Sequence, residues 1–399
     1  MRLPTILAGL LLASPAVAQT AVQVGVVLSA TGQHANVSQL IRDGYEMGAR
    51  QVNRAGGLRV GDRRVSLELV WADDRSNATT ALVATEKLVA DGAQFLLGPF
   101  GSELNDAVAS AAELRGAPLV AGGSGRYLFE AGRRWLFGLS STNERYLNGA
   151  VALVGERALA TGRDPAKLKL ALLFSGDDGT QDIRAGVLEE AARWRMQIAA
   201  DETVPPATDE IGAQIERIAA ARPDLLLVSA HRRGGLLAGR LLAEREIYVP
   251  MVAVTHCEAA DLVAALRGAS EHMLCATQWD RFLSYKDRWF QTANDYAVTF
   301  ELEFGYPPPY QTAQATASVL VLADAIERAK STDREAVREA LARTDVMTMF
   351  GPIRFDAKGR NVGKPMLLYQ VQQGEYRVVA PLRWAWSELI YPAPEQGRH

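Results

Sequence analysis

Apolar positions along this chain form two kinds of run, and the two kinds alternate. Val22–Leu28 is continuous and rich in valine, which reads as a strand, and Leu40–Val52 carries its apolar residues at helical spacing. Val65, Leu67, Leu69 and Trp71 alternate with polar residues, the pattern of a half-buried strand. Asn77–Val89 reads as a helix capped by Ser76 or Asn77, with strand Gln94–Leu97 behind it. Helix Glu103–Leu114 and strands Pro118–Ala121 and Trp135–Leu139 continue the series. A second series begins with helix Glu144–Ala160, strand Leu168–Phe174, helix Gln181–Arg195 and strand Gln197–Glu202. It runs on through helix Glu210–Ala220, strand Asp224–Val228, helix Gly234–Arg245, strand Pro250–Val254 and helix Ala260–Leu266. Such alternation means βαβ units, so the expected fold class is α/β with two doubly wound parallel-sheet lobes.

The tail departs from this rhythm. Three helical stretches, 286–304, 310–329 and 333–343, come in a row before strand-like segments return at Ile353–Phe355, Met366–Gln372 and Tyr376–Val379. The chain is therefore expected to cross between lobes more than once. With no long linker in the sequence, several short segments would join the lobes as a hinge. In open α/β sheets, ligands sit beyond the carboxyl ends of strands where strand order reverses. Two such lobes facing each other across a hinge make a cleft that can close on a ligand.

The N-terminus adds a destination. Arg2, the apolar run Ile6–Ala13 and the small-residue site Ala16-Val17-Ala18 together read as a cleavable export signal over residues 1–18. The run falls short of the roughly 20 apolar residues of a membrane helix. No cysteine follows the cleavage site to carry a lipid. Cleavage would leave 399 − 18 = 381 residues, enough for two domains, each with a core of its own. It would also remove Arg2 and no acid, moving the net charge from -3 to -4. Basic residues are scattered, which argues against a nucleic-acid partner.

Candidate chemistry is sparse. Gly122-Gly123-Ser124-Gly125-Arg126 lacks the closing glycine of a nucleophile elbow. No G-x-G-x-x-G follows the first strand and no phosphate loop of the G-x-x-x-x-G-K-[ST] type occurs, so neither cofactor nor catalysis is expected. The pairs Asp73-Asp74 and Asp177-Asp178 stand at strand ends, where they read as helix caps. Cys257 and Cys275, the only two cysteines, are open to a disulfide or to two buried thiols. His256, Glu258 and His272 lie near them in sequence, but the spacing does not match a zinc site, and no metal is expected.

Several segments after strands carry a family resemblance. Val24-Gly25-Val26-Val27-Leu28-Ser29-Ala30-Thr31-Gly32, the run ARQVNRAGG over Ala49–Gly57, Trp71-Ala72-Asp73-Asp74, Lys87-Leu88-Val89 and Leu97-Gly98-Pro99-Phe100-Gly101-Ser102 follow in order. Tyr310–Ala317 (YQTAQATA) and Phe350–Asp356 (FGPIRFD) complete the set. Together they resemble the leucine/isoleucine/valine-binding family of type I periplasmic solute-binding proteins, over about Val22–Pro381. The resemblance implies lobe 1 from residues 22–142 plus 277–347, and lobe 2 from 143–276 plus 348–391. It implies a non-enzymatic, monomeric carrier in the periplasm, with a permease of an inner-membrane ABC importer as partner. The alternative is a periplasmic sensor or receptor that binds amino acids or amides.

Site residues follow from the same resemblance. Ser102 and the loop Gly122, Gly123, Ser124 and Gly125 match the positions that hold the ligand's carboxylate, and helix starts and glycine turns favour an anion. Two family tyrosine positions correspond to Gly179 and His231, with Arg232 and Arg233 following the latter. The family's amine-anchoring acid corresponds to Thr255, a substitution that relaxes an amino-acid ligand to a small carboxylate, with Glu258 or Asp178 as substitutes. The run Ala276-Thr277-Gln278-Trp279 resembles the branch that takes up aromatic and other organic acids. There Tyr146 and Trp279 are expected to give flat apolar walls.

Overall fold

A computed structural model of the chain describes residues 21–206, 208–258 and 261–395; the expected export signal over 1–18 lies outside them. The chain enters through β1 (Val22–Leu28) and α1 (Ala35–Arg54), then a small hairpin of β2 (Leu58–Val60) and β3 (Arg63–Val65). Next come β4 (Leu67–Asp73), α2 (Ala78–Ala90), β5 (Phe95–Leu97), α3 (Ser102–Arg115), β6 (Leu119–Ala121), α4 (Arg126–Glu130) and β7 (Leu136–Gly138). The larger strands form a parallel sheet in the order β4-β1-β5-β6-β7. β5, β6 and β7 are apolar throughout and fully buried because helices cover both faces, whereas the edge strand β4 is only partly buried.

The second lobe repeats the plan. α5 (Asn148–Ala160), β8 (Lys169–Ser175), α6 (Asp178–Trp194), β9 (Gln197–Val204), α7 (Gly212–Ala221) and β10 (Leu225–Ser229) come first. α8 (His231–Glu244), β11 (Val252–Val254), α9 (Leu262–Leu266) and β12 (Leu274–Thr277) follow. In the sheet, β9-β8-β10-β11-β12 are parallel. The expectation of a purely parallel sheet is corrected at one edge, where β17 (Leu367–Gln372) and β18 (Glu375–Ala380) add on antiparallel. They can do so because Gln373 and Gly374 both take positive φ, the geometry of a tight hairpin turn. Cys257 and Cys275 are bridged, tying the loop after β11 to β12.

Between β12 and β17 the chain returns to the first lobe through the two-residue strands β13 (Lys286–Asp287) and β14 (Gln291–Thr292). α10 (Ala293–Phe304), α11 (Tyr310–Ala329) and α12 (Arg334–Ala342) come next, then the hairpin β15 (Asp345–Thr348) and β16 (Gly351–Arg354). α11 docks on α1 at very short range. A Cβ on Gly44 would lie 2.4 Å from the Thr312 carbonyl oxygen, and the Thr316 hydroxyl donates to the Gly44 carbonyl at 2.8 Å. Beyond β16, residues 355–361 run beside β7, where Gly138 N donates to Gly359 O. In each lobe the first strand of the series sits inside the sheet, β1 between β4 and β5, β8 between β9 and β10. Strand order reverses there, and the crevice beyond those carboxyl ends is the place for a ligand.

Candidate functional site

The carboxyl ends of the two sheets face each other across a cleft of about 310 Å³. From lobe 1, Pro99, Phe100, Gly101 and Ser102 reach it after β5, Gly122, Gly123 and Ser124 after β6, and Tyr310 and Gln314 from α11. From lobe 2 come Tyr146, Asp177, Thr180, Ile183, His231 and His256. That size is at the lower end of the roughly 300–1,000 Å³ usual for small-molecule sites. It suits a single ring or a short aliphatic chain.

Lobe 1 presents donors. α3 starts at Ser102 with Gly101 as its cap residue and no side chain capping it, so its first N–H groups have no side-chain acceptor. A 14-residue helix adds its positive dipole end. The Ser102 hydroxyl accepts from Gly125 N at 3.1 Å, which spends one of its two lone pairs on the neighbouring loop and leaves its proton free to donate. Ser124 donates to the Asn143 side-chain oxygen at 2.7 Å, holding the loop toward the second lobe. A Cβ on Gly122 would sit 1.8 Å from the Gln314 amide nitrogen, so any side chain there must push the Gln314 amide out of its place in the cleft.

Lobe 2 presents rings and a committed acid. Asp177 caps α6 through Thr180 N at 3.1 Å and accepts from the Ser175 hydroxyl, the Thr180 hydroxyl and His231 Nε2 at 2.8 Å. Burial alone would raise this carboxyl. The bonds from Ser175 and Thr180, with the His231 imidazole, outweigh it and hold the group below the ordinary carboxylate range. His231 and His256 stack with centroids 6.3 Å apart, both at left-handed φ, a conformation histidine tolerates better than most residues. Tyr146 and Tyr310 share a hydrogen bond between the lobes, and burial raises both phenols.

The sequence-derived residues divide by placement. Ser102, Gly122, Gly123, Ser124, Tyr146 and His231 line the cleft, with Gly125 directly behind through its bond to Ser102. Thr255 does not line it: the residue is 3% exposed and its hydroxyl lies 3.2 Å from that of Ser229. Trp279 does not line it either, being 4% exposed with its indole N–H donating to Met349 O at 2.8 Å. Gly179 lines the cleft, while Arg232 and Arg233 are exposed outside it. Residues that the sequence reasoning passed over include Phe100, Asn143, Asp177, His256, Tyr310 and Gln314. A signal existed for Asp177 and His256, since each stands two residues past the carboxyl end of a strand.

Two groups near the cleft titrate far from their usual range. Glu258 and His256 are both exposed by residue surface, yet protein crowds their titrating atoms and desolvation is the largest cause of each shift. Desolvation pushes the Glu258 carboxyl up to about 7 against the opposing bond from the Thr277 hydroxyl. Desolvation, then the neighbouring His231, holds the His256 imidazole down at about 4. The signs are opposite. The folded state binds the extra proton on Glu258, so that contribution to stability is present below the ordinary carboxylate range and is lost as pH rises to about 7. The folded state refuses the proton on His256, so stability rises between about 4 and the ordinary imidazole range. Urea titrations across this window are expected to show Glu258→Gln gaining on the parent as pH rises toward 7. An unchanged pH profile in the variant would contradict that assignment.

A family model described as a periplasmic binding protein matches residues 21–375. A Leu/Ile/Val-binding protein homolog of Brucella abortus is 23% identical over 360 residues, covering 89% of this chain and 91% of its own length. A leucine-binding protein from Thermotoga maritima superposes with TM-score 0.72 at 18% identity, over 90% of this chain and 97% of the other. A solute-binding protein from R. palustris, solved in complex with benzoate, superposes with TM-score 0.68 at 19% identity, over 90% and 95% of the two chains.

Proposed function

We propose that this chain, which belongs to the Leu/Ile/Val-binding family of periplasmic binding proteins, captures a small organic acid without an α-amino group and delivers it to an ABC importer. The observation that carries the reading is the balance of charge in the cleft. Donors converge from lobe 1 at the Ser102 hydroxyl and the uncapped start of α3, beside the Gly122–Ser124 loop. Among the described residues, Asp177 is the one carboxylate lining the cleft, and three donors already meet its Oδ2 while the Thr180 amide takes Oδ1. An ammonium group would have to displace those partners, and an unpaired buried charge is costly. A ligand carboxylate meets donors without such displacement.

The walls narrow the class. Phe100, Tyr146, Tyr310, His231 and His256 line the cleft with flat faces, and Ile41 and Ile183 give aliphatic contact. In this reading the acid first meets the lobe 1 loops, and lobe 2 closes over it about the passages between the sheets. Delivery to a permease is carried by the family's role, as is export through the expected signal over residues 1–18.

A second reading has one observation in its favour. Glu258 lies within electrostatic range of Tyr146 and Tyr310, and loss of its proton would create a carboxylate near the cleft for an aliphatic amino acid. Differential scanning fluorimetry separates the two. Benzoate and hydroxybenzoates are expected to raise the melting temperature of the purified protein, while leucine, isoleucine and valine leave it in place. Stabilisation by the amino acids and by no aryl acid would overturn the first reading in favour of the second.

A further inference from the structure

Where the three passages between the lobes cross, the chain buries a polar cluster that the cleft itself does not use. The passages are residues 139–147, 277–281 and 361–366, and each contributes one buried member: Ser141 at 0%, Gln278 at 1% and Lys364 at 0% exposure. The Gln278 side chain is fully engaged. Ser141 N donates to its Oε1 at 3.1 Å, and its Nε2 donates both to Ser141 O at 3.1 Å and to the Tyr146 hydroxyl at 3.2 Å. The Gln278 backbone carbonyl accepts from the Lys364 ammonium. The Lys364 carbonyl in turn accepts from the Ser141 hydroxyl at 2.9 Å and from Arg145 at 3.3 Å.

Lys364 is an unusual occupant. Among the described residues no carboxylate pairs with its ammonium, which faces the Phe350 ring at 4.4 Å instead. Burial pushes the group down to about 7. A lysine buried without a counter-ion costs stability, so its place is held by the surrounding geometry rather than by charge pairing. The geometry that holds it is the Gln278 carbonyl, and Gln278 is held by Ser141.

We propose that Gln278 is a positioning residue that couples the cleft wall to the hinge, reading Tyr146 through its amide and fixing the three passages together through Ser141 and Lys364. Tyr146 is the connecting piece. It lines the cleft, bonds to Tyr310 of the opposite lobe and bonds to Gln278 behind. A hinge moves by changing backbone torsions in a few terminal residues of its elements. Rotation of the lobes must therefore strain or remake the bonds by which Gln278 joins the passages, its side-chain amide to Ser141 and Tyr146 and its backbone carbonyl to Lys364. A ligand that fixes Tyr146 favours the arrangement in which those bonds are made.

The ligand-dependent half of this inference rests on the capture reading above; the hinge half does not. Hydrogen–deuterium exchange of the ligand-free protein tests the hinge half. Gln278→Leu is expected to speed exchange about tenfold in all three passages, the loss of about one net hydrogen bond, while β8 and β10 stay protected. Acceleration confined to 277–281 would overturn the proposal. Should Gln278→Leu fail to fold, Tyr146→Phe takes its place, with acceleration expected at 277–281 and 361–366 and its absence there overturning the proposal. Calorimetric titration with benzoate, or with leucine if the parent binds that instead, tests the coupling. Gln278→Leu and Tyr146→Phe are each expected to weaken binding about tenfold, and the double variant no more than either alone. Additive losses would mean the two act independently, against the proposal. A parent that binds neither probe would defeat the capture reading and leave the exchange result to decide the hinge.

Discussion

Ser102→Ala is expected to lower affinity for the captured acid by roughly ten- to a hundredfold and to leave the melting temperature almost unchanged. Hydrogen bonds to charged groups contribute about 1.5–3 kcal/mol, and that range converts to this fold-change. The Ser102 hydroxyl holds the loop by accepting from Gly125 N and keeps its proton for the cleft. Alanine removes both functions at once. Folding is little affected because Ser102 is the first residue of α3 and supplies no capping bond to it. Isothermal titration with the acid that gives the largest thermal shift checks the first half, and a melting curve checks the second. Equal affinity in parent and variant would remove Ser102 from the site.

Gly186→Val is expected to cost stability and capture together. Position 186 faces the turn at 143–147, and a Cβ there would lie 1.9 Å from the Glu144 carbonyl oxygen. The obstacle is backbone, so no rotamer change relieves it. Either α6 or the turn must move, and both carry cleft residues: Asp177, Thr180 and Ile183 at the start of α6, Asn143 and Tyr146 in the turn. Overpacking of this severity costs about 3 kcal/mol. At about 2–4 °C per kcal/mol for a unit of 150–250 residues, the melting temperature falls by about 6–12 °C. Affinity is expected to fall more than tenfold beside it. Helix propensity alone predicts the opposite sign, since glycine is the poorer helix former. A melting temperature at or above the parent's would show that α6 and the turn are not packed as described.

The parts of this fold that can be read from the chain are those whose pattern is local. Leu170–Phe174 of β8 and Leu225–Val228 of β10 are uninterrupted apolar runs and β1 is broken only by Gln23 and Gly25, and burial on both faces explains why. Two helix caps read equally well, Asn77 and Asp177 each accepting from a first-turn backbone amide, whereas Asp73 and Asp74 do not cap α2: they bind the Ser29–Thr31 turn and Ser76 instead. The residue spacing predicts a helix over 286–304, whereas α10 begins at Ala293. The start signal is present in Thr292, whose hydroxyl accepts from Asp295 N, and the residues before it form the β13–β14 pair. β12 (Leu274–Thr277) goes unread, the one strand of the second sheet's parallel series that the apolar pattern missed.

The site divides along the same line. Ser102 and Gly122–Gly125 follow strands in an open sheet, so topology alone sends them to the cleft. Trp279 also follows a strand, but the chain turns inward there and its ring packs edge-on to Tyr296 at 5.8 Å. Which way a residue turns after a strand is set by the passage between lobes, and no pattern in one segment records it. Gln314 and Tyr310 reach the cleft only because α11 docks on α1 through Gly44, a contact between residues more than 250 positions apart. Asp177 has the plainest lesson. Its reading as a helix cap is correct in the structure, and that bond, with those from Ser175 and His231, keeps it from serving as an amine anchor.

Small-angle scattering with and without saturating ligand tests capture between two lobes most directly. With the acid that most stabilises the protein, the radius of gyration is expected to fall as lobe 2 closes over the cleft. A radius unchanged at full occupancy would contradict closure about the three passages.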